Sequence, residues 1–455
     1  TYLRHKGYRV RTLDLNIEVF SRISAAKRRL WHRENYMIWT VPDRFREIEP
    51  ILADEIDYCV GRILEEPSKV IGVSLAHPNR NFARSVLLKV RAADPERIIV
   101  IGGRGWERES ERRVFRDGLP DAFVEGEGQQ TMVEIIEAVK AGRSLHGIAG
   151  VLAWENGTYE LTRTRDILPP DEAFPLQTFE EYDLSLYENI MLPITFSQGC
   201  ICRCAYCNDK PMSGPFRWRS AERVADQIEF CVRRLGVSRF LFTDSAVNAN
   251  LRELVRLAEI VVRKGLKIEW YASAIPRPDM AREQLETLAR AGCRSLTFGV
   301  ESGSDRILTA MRRRWTAQQQ AEAIRKTFEA GIKTQLNFIV GFPGESEEDF
   351  EATMEWIVRN RPYISEISNL NACQVLFPAA LRIEHESFGI ILPEDTRMSD
   401  DHWRDRCGID RNKRLERLDR LMRLVESLGI ACWTSNERRQ EMTKEEIEQL
   451  RSAGE

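Results

Sequence analysis

Short apolar runs alternate with stretches of helical periodicity along most of this chain, and that alternation leaves few folds open. Between residues 8 and 142 the runs YRVRTLDL, VIGVSLA (70–76), RIIVIGG (97–103) and DAFVEGEG (121–128) each finish at or near Gly, Ser or Asn, as strand-to-helix corners do. NFARSVLLKVRAADP and TMVEIIEAVKAG, which lie between and after them, carry apolar residues at helical spacing. Such alternation implies a parallel, doubly wound sheet, with ligands at the carboxyl ends of its strands. The opening TYLRHKGYRVRTLDLN reads as the end of a helix, a stop at Gly7 and then a strand. A domain that begins so is expected to lack its first strand, and the chain to be truncated at its N-terminus.

Residues 143 to 190 lose the period, and DILPPDEAFPLQTFEEYDL, with three prolines, reads as a linker. A second alternating series fills 191–380. Its expected strands are LPITFS, RFLFTD, KIEWYAS, RSLTFGV, KTQLNFIVG and EISNLNACQVLF, separated by helical stretches such as SAERVADQIEFCVRRLG and AREQLETLARAG. The latter stops at a glycine, as helices often do. Six βα units suit a full or partial parallel barrel, whose site belongs at the C-terminal strand ends. Residues 381–455 read as a charged, helical region; RLERLDRLMRLVESLG has leucines at a/d-like spacing and no readable chemistry.

Composition narrows the function classes. The 455 residues hold 67 Lys and Arg against 70 Asp and Glu, a net charge of −3, which gives no reason to expect a nucleic-acid partner. No apolar run reaches the roughly 18 residues of a membrane span, and no secretory signal is present, so a cytoplasmic protein is expected. Six of the ten cysteines (Cys59, Cys231, Cys293, Cys373, Cys407 and Cys432) are scattered singly, which fits a reducing compartment.

The other four stand in SQGCICRCAYCND, within eight positions directly after the first strand of the second series. Cys200, Cys204 and Cys207 follow C-x3-C-x2-C, Tyr206 precedes the last, and Cys202 fits no second spacing. A structural zinc site wants four ligands in separated pairs, and no His lies within reach of this stretch. Three thiolates suit an iron–sulfur cubane better, leaving the fourth iron open to a ligand.

This loop resembles the signature of the radical S-adenosylmethionine superfamily. The resemblance implies a 4Fe-4S cluster on Cys200, Cys204 and Cys207 in a partial (β/α)6 barrel, the open iron chelated by S-adenosylmethionine. It extends to further motifs in order. In FTDSAVNAN, Thr243 and Asp244 match the positions presented to the methionyl amine. FGVESGSD resembles the run of the subgroup containing methylthiotransferases and cobalamin-dependent enzymes, which brings Gly299, Glu301 and Ser302 to the cofactor. In MRRRWT, Arg314 (or Arg313) suits the methionyl carboxylate as a guanidinium fork. FIVGFPGESEEDF, with Gly341, matches the turn near the adenine, and Tyr206 belongs to the same cofactor pocket. Ser346 would also cap a helix there, with Glu347, Glu348 and Asp349 in its first turn. FPAAL replaces the usual proline–glycine–threonine after the sixth strand.

Residues 1–142 resemble the Rossmann-like cobalamin-binding domain that precedes the barrel in one large subgroup, where the corrin lies between the domains. Ser74, Gly102, Gly103, Gly126 and Gly128 are the contact candidates. No D-x-H-x-x-G run supplies a lower histidine, and His77 at a strand end reads as a solvent-facing loop residue. The resemblance implies a cobalamin-dependent C-methyltransferase acting on a small-molecule or lipid-like substrate through a 5′-deoxyadenosyl radical, with flavodoxin or ferredoxin as electron donor. The alternatives are a radical cyclase, rearrangement enzyme or lyase with the same domains, and a non-catalytic iron–sulfur sensor. A methylthiotransferase is disfavoured, because residues 1–190 hold only Cys59 to bind a second cluster.

Overall fold

The computed structural model describes residues 1–103, 113–115, 117–394, 400–434 and 442–452. The GRGWE part of the expected motif after RIIVI therefore lies largely outside the described residues. The chain divides into two compact units, the first of Thr1–Leu168, Phe179–Glu188 and Asn436–Glu455, the second of Pro169–Thr178 and Asn189–Ser435.

The first unit is built on a five-stranded sheet of β1 (Val70–Ser74), β2 (Ile98–Gly102), β3 (Ala122–Val124), β4 (Val151–Glu155) and β5 (Thr158–Leu161), in that order. Strands β1 to β3 are parallel, while β4 and β5 run antiparallel. Side chains alternate across a strand, so Ile99 and Ile101 join Leu87 of helix Arg80–Ala93 on one face. Val100 joins Ile135 of helix Gly128–Lys140 on the other. The doubly wound arrangement is thus present, but two expectations fail. Residues 151–161, read as linker, form a hairpin that extends the sheet, because Leu152 and Val151 supply apolar cover to its two faces. YRVRTLDL forms no strand: β1 is an edge, and no described strand pairs with that segment. Further helices, including Ala53–Leu64 and the C-terminal helix Lys444–Ser452, share an apolar core around Leu30, Ile38, Leu52 and Ile447 with Val86 and Val90 of helix Arg80–Ala93.

The second unit carries a seven-stranded, all-parallel sheet in the order β16-β13-β12-β11-β10-β9-β6, an open barrel. Its strands are β6 (Leu192–Ile194), β9 (Arg239–Phe242), β10 (Glu269–Ala274), β11 (Cys293–Glu301), β12 (Lys333–Val340), β13 (Glu366–Ala372) and β16 (Cys432–Thr434). The six expected strands are all present, and β16 is an addition too short to be read from sequence. Two-stranded pairs β7 (Ser197–Gln198) with β8 (Arg217–Trp218), and β14 (Ile390–Ile391) with β15 (Arg404–Asp405), complete the strands.

Helix Arg411–Ser427 is more than packing. Arg417 and Glu345 form an ion pair whose side chains are 3% and 1% exposed. Arg417 Nη1 donates to Glu345 Oε2 at 2.7 Å and to its carbonyl at 3.0 Å, and the same carboxylate accepts from Gly341 N at 2.8 Å. Gly341 has φ +70°, and a Cβ there would collide with the methylene chain of Arg414. The turn GFPGE is therefore held from outside the barrel. Removing one member of a buried pair strands the other charge. Arg417→Met should cost about 3–5 kcal/mol in guanidinium unfolding of the second unit, and Arg417→Met with Glu345→Leu should recover most of that loss.

Candidate functional site

The three spaced cysteines lie on one loop beyond β6 and β7, at the carboxyl ends of the parallel strands. Gly199 opens the loop at φ +70°, where a Cβ would strike the carbonyls of Gly214 and Pro215. Asp244, buried at the end of β9, fastens the loop's approach: its carboxylate accepts from the backbone N–H of Phe196 (3.2 Å) and Ser197 and from the Ser197 hydroxyl. Burial pushes that carboxyl up to about 6, against these donors, which favour its charge. Midway, Ala205 N donates to Met311 O at 3.0 Å and Leu381 N to Ala205 O at 2.9 Å. The backbone between the cysteines is thus fixed from two other elements.

None of the four cysteines is in a disulfide. Cys202 is buried against Ala246 and Ile275, and its hydrogen bonds to Cys200 and Cys204 hold it well above the ordinary thiol range. The same bonds favour the thiolates: Cys204 falls to about 5 through Cys202 and then Arg313, and Cys200 to about 7 through Cys202. Thiolates are the form that binds metal. Among the described residues no three His, Cys, Asp or Glu side chains converge as they would on one metal ion. A cubane makes no such demand, since each thiolate takes a different iron.

Behind the cysteines four side chains form one network. Arg313 Nη1 donates to Cys204 Sγ and Tyr206 Oη, both at 3.4 Å, and Nη2 to Gly299 O and to Gln320 Oε1 at 3.5 Å. Its Nε is buried with no partner among the described residues. Tyr206 also hydrogen-bonds the buried Glu301 carboxyl, which burial raises to about 7 while Arg313 pulls the other way. Glu301 has φ +71°, a strained conformation for a residue with a side chain. A Cβ at Gly299 would meet Glu301 Oε1, so a side chain there would displace this carboxyl.

Placement differs from expectation at three positions. Arg314 is exposed, its guanidinium over Trp315 at 5.6 Å, whereas Arg313 turns inward; among three adjacent arginines the sequence holds no signal for this. The backbone decides it, because Arg312 adopts φ +59° and reverses the chain. Ser302 turns away from the cysteine loop, bonding Thr353 Oγ1 at 3.1 Å and receiving Ser304 N at 3.1 Å. Ser304 Oγ then reaches Asp349 Oδ1 at 2.6 Å, and Arg306 pairs with Asp349, so the two motifs VESGSD and GESEEDF brace each other. Ser346 accepts from Asp349 N at 3.3 Å as the expected helix cap. Thr243 is exposed and bonds Thr195 Oγ1 at 3.0 Å. Cys373 is buried in an apolar cluster, an inert thiol.

In the first unit, Ser74, Gly102, Gly103, Gly126 and Gly128 all line one cavity of about 1970 Å³, which continues along the outer edge of β1 to residues 8–16. That volume exceeds the roughly 300–1,000 Å³ usual for small-ligand pockets. Gly103 has a structural reason of its own, since a Cβ would meet Leu75 O. Gly126, at φ +72°, has open space around it. His77 is engaged at both ring nitrogens, Nδ1 with Tyr36 Oη at 2.8 Å and Nε2 with Arg80 Nη1 at 3.4 Å. Arginine only donates, so Nε2 accepts and Nδ1 carries the proton.

The radical SAM superfamily model matches residues 194–357. Among curated proteins, an uncharacterized methyltransferase of Pyrococcus horikoshii is 30% identical over 313 residues, covering 67% of this chain and 68% of that protein. An anaerobic magnesium-protoporphyrin IX monomethyl ester cyclase of Rubrivivax gelatinosus is 25% identical over 298 residues, covering 62% of this chain and about half, 53%, of that protein. Among solved structures, the radical S-adenosylmethionine methyltransferase TsrM of Kitasatospora setae, with cobalamin and a 4Fe-4S cluster bound, aligns at TM-score 0.65 and 17% identity over 77% of each chain. The cobalamin-dependent radical enzyme OxsB with aqua-cobalamin aligns at 0.68 and 15%, over 89% of this chain and 66% of that one.

If Asp244 fixes the loop, Asp244→Asn should keep one accepting oxygen and set its amide N–H₂ against at least one of the three donors. We expect a loss of about 1–3 kcal/mol, read by chemical unfolding of the apo protein, together with lower iron per chain after anaerobic reconstitution.

Proposed function

Because this chain belongs to the radical S-adenosylmethionine superfamily, we propose that it is a cobalamin-dependent methyltransferase that methylates a carbon of a small molecule. The observation that supports a corrin partner best is the cavity of the first unit bordered by strand-end glycines, which an enzyme using the cluster alone would not require, and the methyltransferase relative favours methyl transfer. Three cysteines outside any disulfide on a braced loop, and the buried Nε of Arg313, which has no partner among the described residues, fit a cluster and an anionic group beside it. Cys200, Cys204 and Cys207 would each hold one iron. Tyr206, Thr243, Gly299, Glu301 and Gly341 would surround S-adenosylmethionine, and Ser74, Gly102, Gly103, Gly126 and Gly128 the corrin. Bound there, the cluster supplies the electron that splits the sulfonium, and the corrin carries a methyl group.

The chain's own groups do the positioning. Asp244 and the Ala205 backbone contacts keep the cysteines in place. Phe342, Val375, Leu381 and Trp403 bury Ala205 on the underside of the loop, and Tyr206 packs partly buried against them. Glu301, linked to Tyr206 and with its pKa raised by burial against the pull of Arg313, presents a carboxyl at the strand end. With its ring nitrogens committed to Tyr36 and Arg80, His77 offers cobalt no lower ligand. A low-potential donor such as flavodoxin or ferredoxin would reduce the cluster. Among the described residues no helix is long and apolar enough to cross a membrane.

The cyclase relative favours a second reading, radical chemistry without methyl transfer. An experiment that needs no substrate separates them: anaerobic protein loaded with iron, sulfide and cobalamin is reduced and given S-adenosylmethionine labelled in its methyl group. We expect label on the corrin. 5′-Deoxyadenosine without labelled corrin would favour the second reading. Each of Cys200→Ala, Cys204→Ala and Cys207→Ala should lose most of its iron, whereas Cys202→Ala should retain it.

A further inference from the structure

We propose that Arg313 is a positioning residue for the cluster: its guanidinium donates to the Cys204 sulfur, and its charge sets the cluster's reduction potential. The inference rests on the cluster assignment above and adds a residue outside the cysteine motif.

The contact is specific. Nη1 lies 3.4 Å from Cys204 Sγ, and the fork is anchored independently of the loop by Gly299 O on β11 and Gln320 on helix Ala317–Glu329. Gln320 is fully buried, so this support is rigid. The guanidinium is thus held by elements other than the cysteine loop. Its neighbours differ in fate: Arg312 pairs with Glu384 at the surface, and Arg314 is exposed over Trp315. Of the three, Arg313 alone hydrogen-bonds a cysteine sulfur.

Hydrogen bonds to ligating sulfurs and nearby net charge are principal controls on cluster potential. Reduction adds one negative charge to the cluster, and a cation at a ligating sulfur stabilises that state more than the oxidised one. Arginine stays protonated, so the effect persists at any working pH. When ionised, the Glu301 carboxyl, linked to Cys204 through Tyr206 and Arg313, would oppose this charge and limit the gain. Arg313 therefore raises the potential and eases electron entry from the external donor.

The test compares anaerobically reconstituted wild type, Arg313→Gln, Arg313→Lys and Arg314→Gln, by iron and sulfide content and by EPR-monitored redox titration with dithionite in the absence of S-adenosylmethionine. We expect Arg313→Gln to shift the midpoint negative, Arg313→Lys to shift it less, and Arg314→Gln to match wild type. An unshifted midpoint in loaded Arg313→Gln, or an equal shift in Arg314→Gln, would overturn the proposal. Wild type labelled with 15N-arginine decides the case in which Arg313→Gln fails to load. Pulsed EPR of its reduced cluster should show a 15N coupling that Arg314→Gln retains; absence of coupling overturns the proposal. A wild type that takes up no iron would overturn the cluster assignment itself, whereas the other contrary results leave that assignment standing.

Discussion

The second unit is organised around charge held away from water at the carboxyl ends of a parallel sheet. A buried carboxyl at Glu301, a guanidinium at Arg313 and thiols at Cys200, Cys204 and Cys207 share one low-dielectric corner. Each would be costly there alone. Together they pay for one another: Arg313 faces both Cys204 and Tyr206, and Tyr206 faces Glu301. The strained backbone at Glu301 and the glycine at 299 follow from fitting this set into the end of β11.

Around that corner the fold spends polar groups on bracing. Asp244 ties the loop's approach to β9, and Met311 and Leu381 clasp Ala205. Ser302 and Ser304 after β11 join Thr353 and Asp349 on the helix after β12, and Arg417 of helix Arg411–Ser427 with Glu345 locks the GFPGE turn. Several motif residues thus serve structure as much as ligand. The first unit is simpler: strand-end glycines border a cavity, and the nearby histidine is bonded to its own neighbours.

Much of this was legible in the sequence because it depends on local pattern. Period-two and helical spacing placed the six barrel strands, β1, β2 and β3, and the C-x3-C-x2-C run placed the three thiols on one loop. What escaped depends on long-range partners. YRVRTLDL has strand character, but a strand needs a neighbour, and β1 presents an unpaired edge. The hairpin at 151–161 hides in a stretch whose prolines lie further on. Which of three consecutive arginines turns inward depends on the reversal at Arg312, and the leucine-spaced terminal helix concealed Arg414 and Arg417, buried where solvated charges are the usual expectation.

The central claim is that three cysteines leave one iron of a cubane open to S-adenosylmethionine. Mössbauer spectroscopy of 57Fe-reconstituted, anaerobic protein tests it most directly. The account predicts that adding S-adenosylmethionine changes the signal of one iron site in four and leaves the rest as they were. A spectrum indifferent to S-adenosylmethionine, or protein that takes up no iron, would contradict it.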